Sequence, residues 1–326
     1  MKENTLPSLP ERLLPFFEKC ARDLPWRKQR TPYAVLVSEI MLQQTRVDTV
    51  IDYFNRFMAE LPSVQALASA PEEKLLQLWE GLGYYRRVRN LQKAARMIME
   101  DFGGDFPTEV KDLLKLPGVG AYTAGAIASI AFGRPAPAVD GNVLRVISRI
   151  TASNWNAENA AEALQKQYPA GRCSDFTESL MELGATVCLP NGTPHCAACP
   201  VRDICKSADN GWQNWPVKAE KKPRKVEHLT VFILQNNGKT AHRRRPETGL
   251  LSGLWELPNE SGSQSPEYAG QYGRVSGVKK AKHIFTHVEW QMTVYLIEAA
   301  QQSPEFIWAE PGTLPLPTAF RKLLPR

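Results

Sequence analysis

The texture of the chain changes once along its length, and that change limits what it can fold into. Up to about residue 206, apolar residues recur at helical spacing over 33–58, 72–79, 88–99, 122–132 and 143–150. Proline and glycine punctuate the gaps at Pro62, Pro71, Gly81, Gly103, Pro107 and Pro135. From 207 to 226 the chain turns polar and basic and carries Pro216 and Pro223, the composition of a linker. Short β-rich runs follow at 228–234 and 292–297, separated by Gly, Asn and Ser. The pattern predicts a multidomain protein: an all-α domain over 1–206, a linker over 207–226 and an α+β domain over 227–326. A chain of 326 residues is long enough for two separate cores.

Composition narrows the function classes. The weakly polar stretch 121–133 is too short and too rich in small residues to span a bilayer. The first thirty residues hold Glu3, Glu11, Glu18 and Asp23 and no apolar secretory segment, so a cytoplasmic protein is expected. In a reducing compartment, clustered cysteines point to metal rather than disulfide. Basic residues gather at Arg86, Arg87 and Arg89, at Lys218, Lys221, Lys222, Arg224 and Lys225, and at Arg243, Arg244 and Arg245. With a net charge of +6 these runs permit a polyanionic partner, although solvated faces account for them equally well. All five histidines lie at or beyond His195, so chemistry in the first half of the chain must use carboxylates or hydroxyls.

Three elements stand in order. Leu116-Pro117-Gly118-Val119-Gly120 between helical runs makes a tight turn whose glycines let backbone amides approach a phosphate; an ordinary helix-to-helix turn has the same look. Asp140, in Val139-Asp140-Gly141-Asn142, precedes an apolar helical run, where aspartate commonly caps a helix. That position favours the ionised carboxylate, as a cation-stabilising group requires. Cys188-x7-Cys196-x2-Cys199-x5-Cys205 then supplies four thiols, whereas zinc ribbons usually show two C-x2-C knuckles. Cys20 and Cys173 fit no such spacing and are expected to be buried apolar residues.

Hairpin, aspartate and cysteines together resemble the helix-hairpin-helix DNA glycosylases of the endonuclease III superfamily, over residues 10–205. The resemblance implies a helix-hairpin-helix catalytic domain with one 4Fe–4S cluster on Cys188, Cys196, Cys199 and Cys205, in the loop 188–205. The family pattern has six residues in the first cysteine gap; here there are seven, ending at His195. Bifunctional members carry a Schiff-base lysine two residues after the last hairpin glycine. Tyr122 stands there in this chain, so no efficient β-elimination is expected.

Asp23-Leu24-Pro25-Trp26-Arg27, Val37-Ser38-Glu39-Ile40-Met41-Leu42-Gln43-Gln44-Thr45 and Gly81-Leu82-Gly83-Tyr84-Tyr85-Arg86 are similar to the MutY-type branch, adenine glycosylases acting opposite 8-oxoguanine. Glu39 lies among Val35 and Leu42 on a predicted helix, and partial burial there raises a carboxyl pKa. The resemblance makes Glu39 the proton donor to adenine N7 and Asp140 the stabiliser of an oxocarbenium-like sugar, supported by Tyr122 and Asn142. A carboxylate about 4 Å from such a cation contributes on the order of 4 kcal/mol at an effective dielectric near 20. By the same resemblance Arg22, Trp26, Arg27, Leu42 and Glu178 form the adenine pocket. Contacts to DNA fall to Gln44, Thr45, Leu82, Tyr84, Arg86, Gly118, Val119 and Gly120. The base must be flipped from the duplex at a cost of a few kcal/mol, with Gln44 and Tyr84 filling or wedging the gap.

The C-terminal part, from His242-Arg243-Arg244-Arg245-Pro246 through Gly249–Pro258, resembles a Nudix-type domain. The acidic helix that holds magnesium in active Nudix hydrolases is missing, since 259–282 carry only Glu260 and Glu267 as acids. No pyrophosphatase activity is therefore expected. Phe285-Thr286-His287 instead matches the loop that reads 8-oxoguanine, threonine keeping the hydroxyl that serine more often supplies. The expected partner is duplex DNA carrying 8-oxoguanine:adenine or guanine:adenine mispairs, bound by a monomer in a bacterial cytoplasm at the nucleoid. A pyrimidine or mismatch glycosylase/lyase, and a lesion-binding protein without turnover, remain as alternatives.

Overall fold

The computed structural model describes residues 6–208, 210–217 and 223–324. Its helices are α1 (Pro10–Cys20), α2 (Pro25–Lys28), α3 (Pro32–Leu42), α4 (Val47–Glu60), α5 (Val64–Ser69), α6 (Glu72–Trp79), α7 (Arg86–Asp101), α8 (Val110–Leu113), α9 (Ala121–Ala126), α10 (Gly141–Thr151), α11 (Ala157–Gln165), α12 (Cys173–Thr186), α13 (Pro266–Ala269) and α14 (Thr318–Arg321). The chain divides into two units, Met1–Ala70 with Arg86–Ala219, and Pro71–Tyr85 with Glu220–Arg326. Residues 71–85, counted with the helical domain from the sequence, are thus grouped with the second unit. Lys218, Lys221 and Lys222 of the basic run lie outside the described residues.

In the first unit α3 starts cleanly: Thr31 accepts the Ala34 amide at its N-cap and Pro32 occupies the first turn. Every side chain from Tyr33 to Met41 is buried, so this is a core helix rather than an amphipathic one. It packs against α2, α4, α7 and α9. The apolar run 33–58, which reads as one helix, is two; Gln43–Arg46 separate α3 from α4, with Gln44 in the left-handed region at φ 59°. The run 122–132 likewise changes character, α9 passing into a π-helical turn over Ile127–Ala131.

A second core joins α1, α10, α11 and α12 through Leu9, Leu13, Val146, Ile147, Ile150, Leu164, Phe176 and Leu183. Cys188, Cys199 and Cys205 pack at its margin. Gly125 allows a close backbone approach, since a Cβ there would lie 2.2 Å from the Pro137 carbonyl oxygen. That contact sets α9 directly against the segment leading to Asp140. Cys173 is buried as expected; Cys20, expected to be buried, is exposed at the end of α1, where the helix presents its polar face.

The second unit is built on a seven-stranded sheet of β1 (Lys225–Asn236), β2 (Lys239–Arg244), β3 (Trp255–Glu256), β4 (Asn259–Ser261), β5 (Arg274–Ile284), β6 (Val288–Glu298) and β7 (Ile307–Ala309). The main order is β3-β2-β1-β6-β5, with β4 paired to β1 and β7 to β2. Strands β1 and β6 run parallel along their length. The continuous apolar run of β1 is what a strand covered on both faces needs. Leu229, Val231 and Ile233 face Trp290 and Phe320, while Phe232 and Leu234 face Tyr295 and Phe306. The expected strands 228–234 and 292–297 are present and longer at both ends. Among the described residues, 259–282 hold only the four-residue α13 and a 3-10 turn as helix.

Candidate active site

Six segments converge on one cleft of about 680 Å³ in the first unit. It is lined by Arg22, Trp26, Arg27, Glu39, Leu42, Gln44, Thr45, Tyr122, Asp140, Asn142 and Glu178, every residue expected in catalysis or the base pocket among them. The sequence reading missed Ser38, Arg46, Met181 and Ala185, which also line it. Met181 and Ala185 follow Glu178 at helical spacing on α12, so their positions follow once Glu178 is assigned.

Glu39 is the chemically unusual group. It is 5% exposed on a helix otherwise apolar around it. Burial pushes its carboxyl up to about 7; the Tyr122 hydroxyl hydrogen-bonded to it pulls the other way, and Asp140 and Glu178 push further up while Arg27 opposes. Such a carboxyl holds a proton near neutrality and can give it away. Tyr122 is itself pushed well above its ordinary range by burial and by the acids beside it.

Asp140 caps α10 as the sequence predicts. Its Oδ1 accepts the amides of Asn142 (2.9 Å) and Val143 (2.8 Å), and its Oδ2 accepts the Asn142 side-chain amide (2.6 Å). Asn142 in turn accepts from Arg145 (2.9 Å), which donates onward to the Cys188 carbonyl (3.0 Å). One hydrogen-bonded path therefore runs from the cleft carboxylate to the cysteine loop.

The pocket wall is charged and paired. Arg27 meets Glu178 (3.2 Å) and Glu182 (2.7 Å), and Arg30 reaches Asp175 (3.0 Å) and Glu178. Trp26 packs edge-on against Phe54 at 5.5 Å, which fixes one apolar side of the cleft. Burial raises the Glu178 carboxyl despite Arg30 and Arg27 beside it.

The hairpin lies between α8 and α9. Gly118 adopts φ 82° and a Cβ there would meet the Asn90 side chain at 2.9 Å, so glycine is required on both counts. Val119 is buried and its amide donates to Leu116, which leaves exposed Gly118 and Gly120 as the outer surface of the turn. Arg86 is exposed at the start of α7.

Cys188, Cys196, Cys199 and Cys205 face one small cavity, completed by Val146, Ile150, Leu183, Val187 and Val201. Arg149 donates to the Cys188 sulfur at 3.4 Å and lies over the Trp212 ring. Burial, with the other cysteines adding to it, pushes the Cys199 thiol up to about 12 and raises Cys205 as well. Among the described residues no three His, Cys, Asp or Glu side chains are gathered tightly as a metal-ion site. The donor set nonetheless fits an iron–sulfur cluster: four soft sulfur ligands, an apolar shell and a nearby cation to balance anionic charge. His195, the extra residue of the first gap, is exposed and is not among the cavity residues.

In the second unit Phe285, Thr286 and His287 form the turn between β5 and β6. Phe285 is anchored edge-on to Trp290 at 4.8 Å and to His283 at 4.6 Å, leaving Thr286 and His287 exposed. The Thr286 hydroxyl hydrogen-bonds that of Tyr84, which is 49% exposed at φ 48°. Leu82 of the same segment is buried.

Both halves of the chain are similar to known proteins. Residues 37–170 match the family described as HhH-GPD superfamily base excision DNA repair protein, and residues 230–326 match the NUDIX domain. The adenine DNA glycosylase of Rattus norvegicus is 36% identical, the alignment covering 90% of this chain and 70% of that protein. The adenine DNA glycosylase of Buchnera aphidicola (strain Bp) is 31% identical over 93% and 92% respectively. Among solved structures, a thermostable thymine-DNA glycosylase is 32% identical with TM-score 0.56, over 60% of this chain and 93% of its own. Endonuclease III in a non-covalent DNA complex is 27% identical with TM-score 0.54, over 61% and 92%. No helix among the described residues is long and apolar enough to cross a membrane. With both domain matches in order and relatives aligned across both units, the chain belongs to the adenine DNA glycosylase family of base-excision repair enzymes.

Proposed function

We propose that the protein is a monofunctional glycosylase that hydrolyses the N-glycosidic bond of adenine mispaired with 8-oxoguanine or guanine in duplex DNA. The observation that carries this reading is a pair of unlike carboxyls in one cleft: Glu39, buried and pushed up to about 7, and Asp140, held by three N–H donors. Adenine is a poor leaving group until a ring nitrogen is protonated, and Glu39 supplies that proton. As the bond lengthens the deoxyribose gains positive charge, which Asp140 stabilises while Asn142 keeps its carboxylate in place. A proton-donating carboxyl paired with a charge-stabilising carboxylate is the general device of glycoside cleavage. Tyr122 hydrogen-bonds Glu39 and offers no amine for a lyase step.

In this reading Arg22, Trp26, Arg27, Leu42 and Glu178 receive the flipped base. Gln44, Thr45, Tyr84 and Arg86 meet the DNA, with the Gly118–Gly120 turn at its backbone. Phe285, Thr286 and His287 read the opposing 8-oxoguanine. Residues 1–206 form the catalytic domain and 227–326 the lesion-reading domain, joined by 207–226, in a monomer working on the bacterial nucleoid. Cys188, Cys196, Cys199 and Cys205 would hold a 4Fe–4S cluster, which supplies a structural clasp for the basic loop of Arg202 and Lys206 when bound.

The test is release of free adenine from an 8-oxoguanine:adenine duplex, with strand scission appearing only after alkali. Scission without alkali would sink the monofunctional assignment and favour a lyase; binding without release would favour a lesion sensor.

A further inference from the structure

Glu182 lies one turn beyond Glu178 on α12, is fully buried and is not among the cleft residues. It nevertheless holds two arginines of the pocket wall, Arg22 and Arg27, from behind. Its Oε1 accepts Arg22 Nε at 2.7 Å and the Arg22 amide at 3.3 Å. Its Oε2 accepts Arg22 Nη2 at 3.0 Å and Arg27 Nη2 at 2.7 Å. Arg27 also donates to the Arg22 carbonyl at 3.0 Å, which closes the three residues into one unit. Two guanidiniums thus share one buried carboxylate, a geometry that fixes both side chains without using a cleft surface.

The charge arrangement gives this clamp a second consequence. The groups facing Glu39 are Arg27 from α2, Tyr122 from α9, Asp140 at the cap of α10 and Glu178 from α12. Arg27 is the one cation in that set, and it opposes the protonated form. Glu182 is the nearer of its two carboxylates, at 2.7 Å against 3.2 Å for Glu178. Burial works against an ionised Glu182, but the hydrogen bonds from Arg22 and Arg27 outweigh it and hold the carboxyl below its usual range.

We propose that Glu182 is a positioning residue for base excision: it seats Arg22 and Arg27 in the pocket wall and offsets cationic charge that would otherwise fall on the Glu39 side of the cleft. The proposal rests on Glu39 acting as the acid in adenine release. A residue with a purely structural role would, when changed, slow the reaction by the same factor at every pH. Glu182 instead moves the pH at which the reaction fails.

The experiment is single-turnover adenine release from an 8-oxoguanine:adenine duplex at saturating protein, across the pH range around the fall in rate. For the unaltered protein the rate falls as pH rises through the Glu39 value. In Glu182→Gln the fall moves about one unit lower, about tenfold at a fixed pH on that limb, and the two curves converge at low pH. Glu182→Asp keeps the charge and leaves the limb near its original position. Should Glu182→Gln not fold, Arg22→Met/Glu182→Gln removes one half-buried cation with the anion, still strips Arg27 of its closer carboxylate while Glu178 remains, and shows the same shift. An unmoved limb, or a uniform slowing at all pH, overturns the proposal. Failure of the unaltered protein to release adenine would instead overturn the activity on which it rests.

Discussion

Glu39 of the helical unit and Glu256 of the sheet unit are buried to nearly the same depth, 5% and 2% exposed, and are kept in opposite company. Glu256 Oε1 accepts Arg243 at 2.8 Å, and its Oε2 accepts Arg245 and the Asn259 amide. Arg243 also donates to the Asn259 carbonyl, and Arg245 lies over the Trp290 ring at 5.5 Å. Two cations and an amide therefore answer one carboxylate, and the cluster ties β2, β3 and β4 together. Glu39 has a phenol, two further acids and one shared arginine around it. Burial alone does not mark a reactive carboxyl; burial with too few cations does. The first arrangement holds a charge still, while the second holds a proton loosely.

The sharpest way to break that comparison is through rate. Glu39→Gln and Asp140→Asn should each slow adenine release by roughly 10²–10⁴-fold, the usual contribution of a positioned acid, while lesion-DNA binding persists. Glu256→Gln should leave the single-turnover rate at saturating protein nearly unchanged. Equal losses from Glu39→Gln and Glu256→Gln would show that the two carboxyls are not divided as their surroundings indicate.

Stability should respond in the opposite sense. Removing the charge of Glu256 leaves Arg243 and Arg245 without their shared anion, at a cost of roughly 3 kcal/mol for the sheet unit. For Glu39 the folded carboxyl sits near 7, above its unfolded value. Its contribution is therefore complete below the unfolded value and is lost as pH rises through about 7. Glu39→Gln should relieve a penalty on the order of 3 kcal/mol at alkaline pH and change little in acid. Denaturant unfolding of each variant on both sides of neutrality measures this. A Glu39→Gln variant less stable than its parent at high pH would remove the physical basis for reading Glu39 as a stored proton.

The settings of Glu39 and Asp140 were legible in the sequence because their signals are local, whereas the rest of the cleft was implied by the family resemblance. Val35 and Leu42 around Glu39 give its burial by helical spacing, and Asp140 before an apolar run gives the cap. What was not legible depends on partners distant in the chain. Nothing near Glu182 reveals that Arg22 and Arg27, some 160 residues earlier, close on it. The break at Gln43–Arg46 carries neither glycine nor proline, so periodicity runs through it although Gln44 turns left-handed. Residues 71–85 carry an ordinary helical pattern in α6, and no pattern within a segment states which core it serves. That they group with the sheet unit follows from pairings such as Glu80 with Arg321 (3.1 Å) and with the Leu316 amide (3.2 Å). Cys20 and Cys173 read alike because neither belongs to a spacing; the helix face decides their exposure.

The smallest expected effect tests whether the sheet unit contributes recognition as well as structure. Phe285 anchors the β5–β6 turn on Trp290, and Thr286 presents a hydroxyl bonded to Tyr84. If that hydroxyl reads 8-oxoguanine, its removal costs about one hydrogen bond, about 1 kcal/mol, and so about five- to tenfold in discrimination. Thr286→Ala should lower the ratio of adenine release from 8-oxoguanine:adenine over guanine:adenine duplexes by that factor, and Thr286→Ser should restore it. Single-turnover rates on the two duplexes at subsaturating protein give the ratio directly. The Glu256 cluster supplies the contrast, since weakening it should lower stability without selectively changing the ratio. A Thr286→Ala variant that slows both substrates equally would reduce the turn to a strand connection and leave lesion choice to the helical unit.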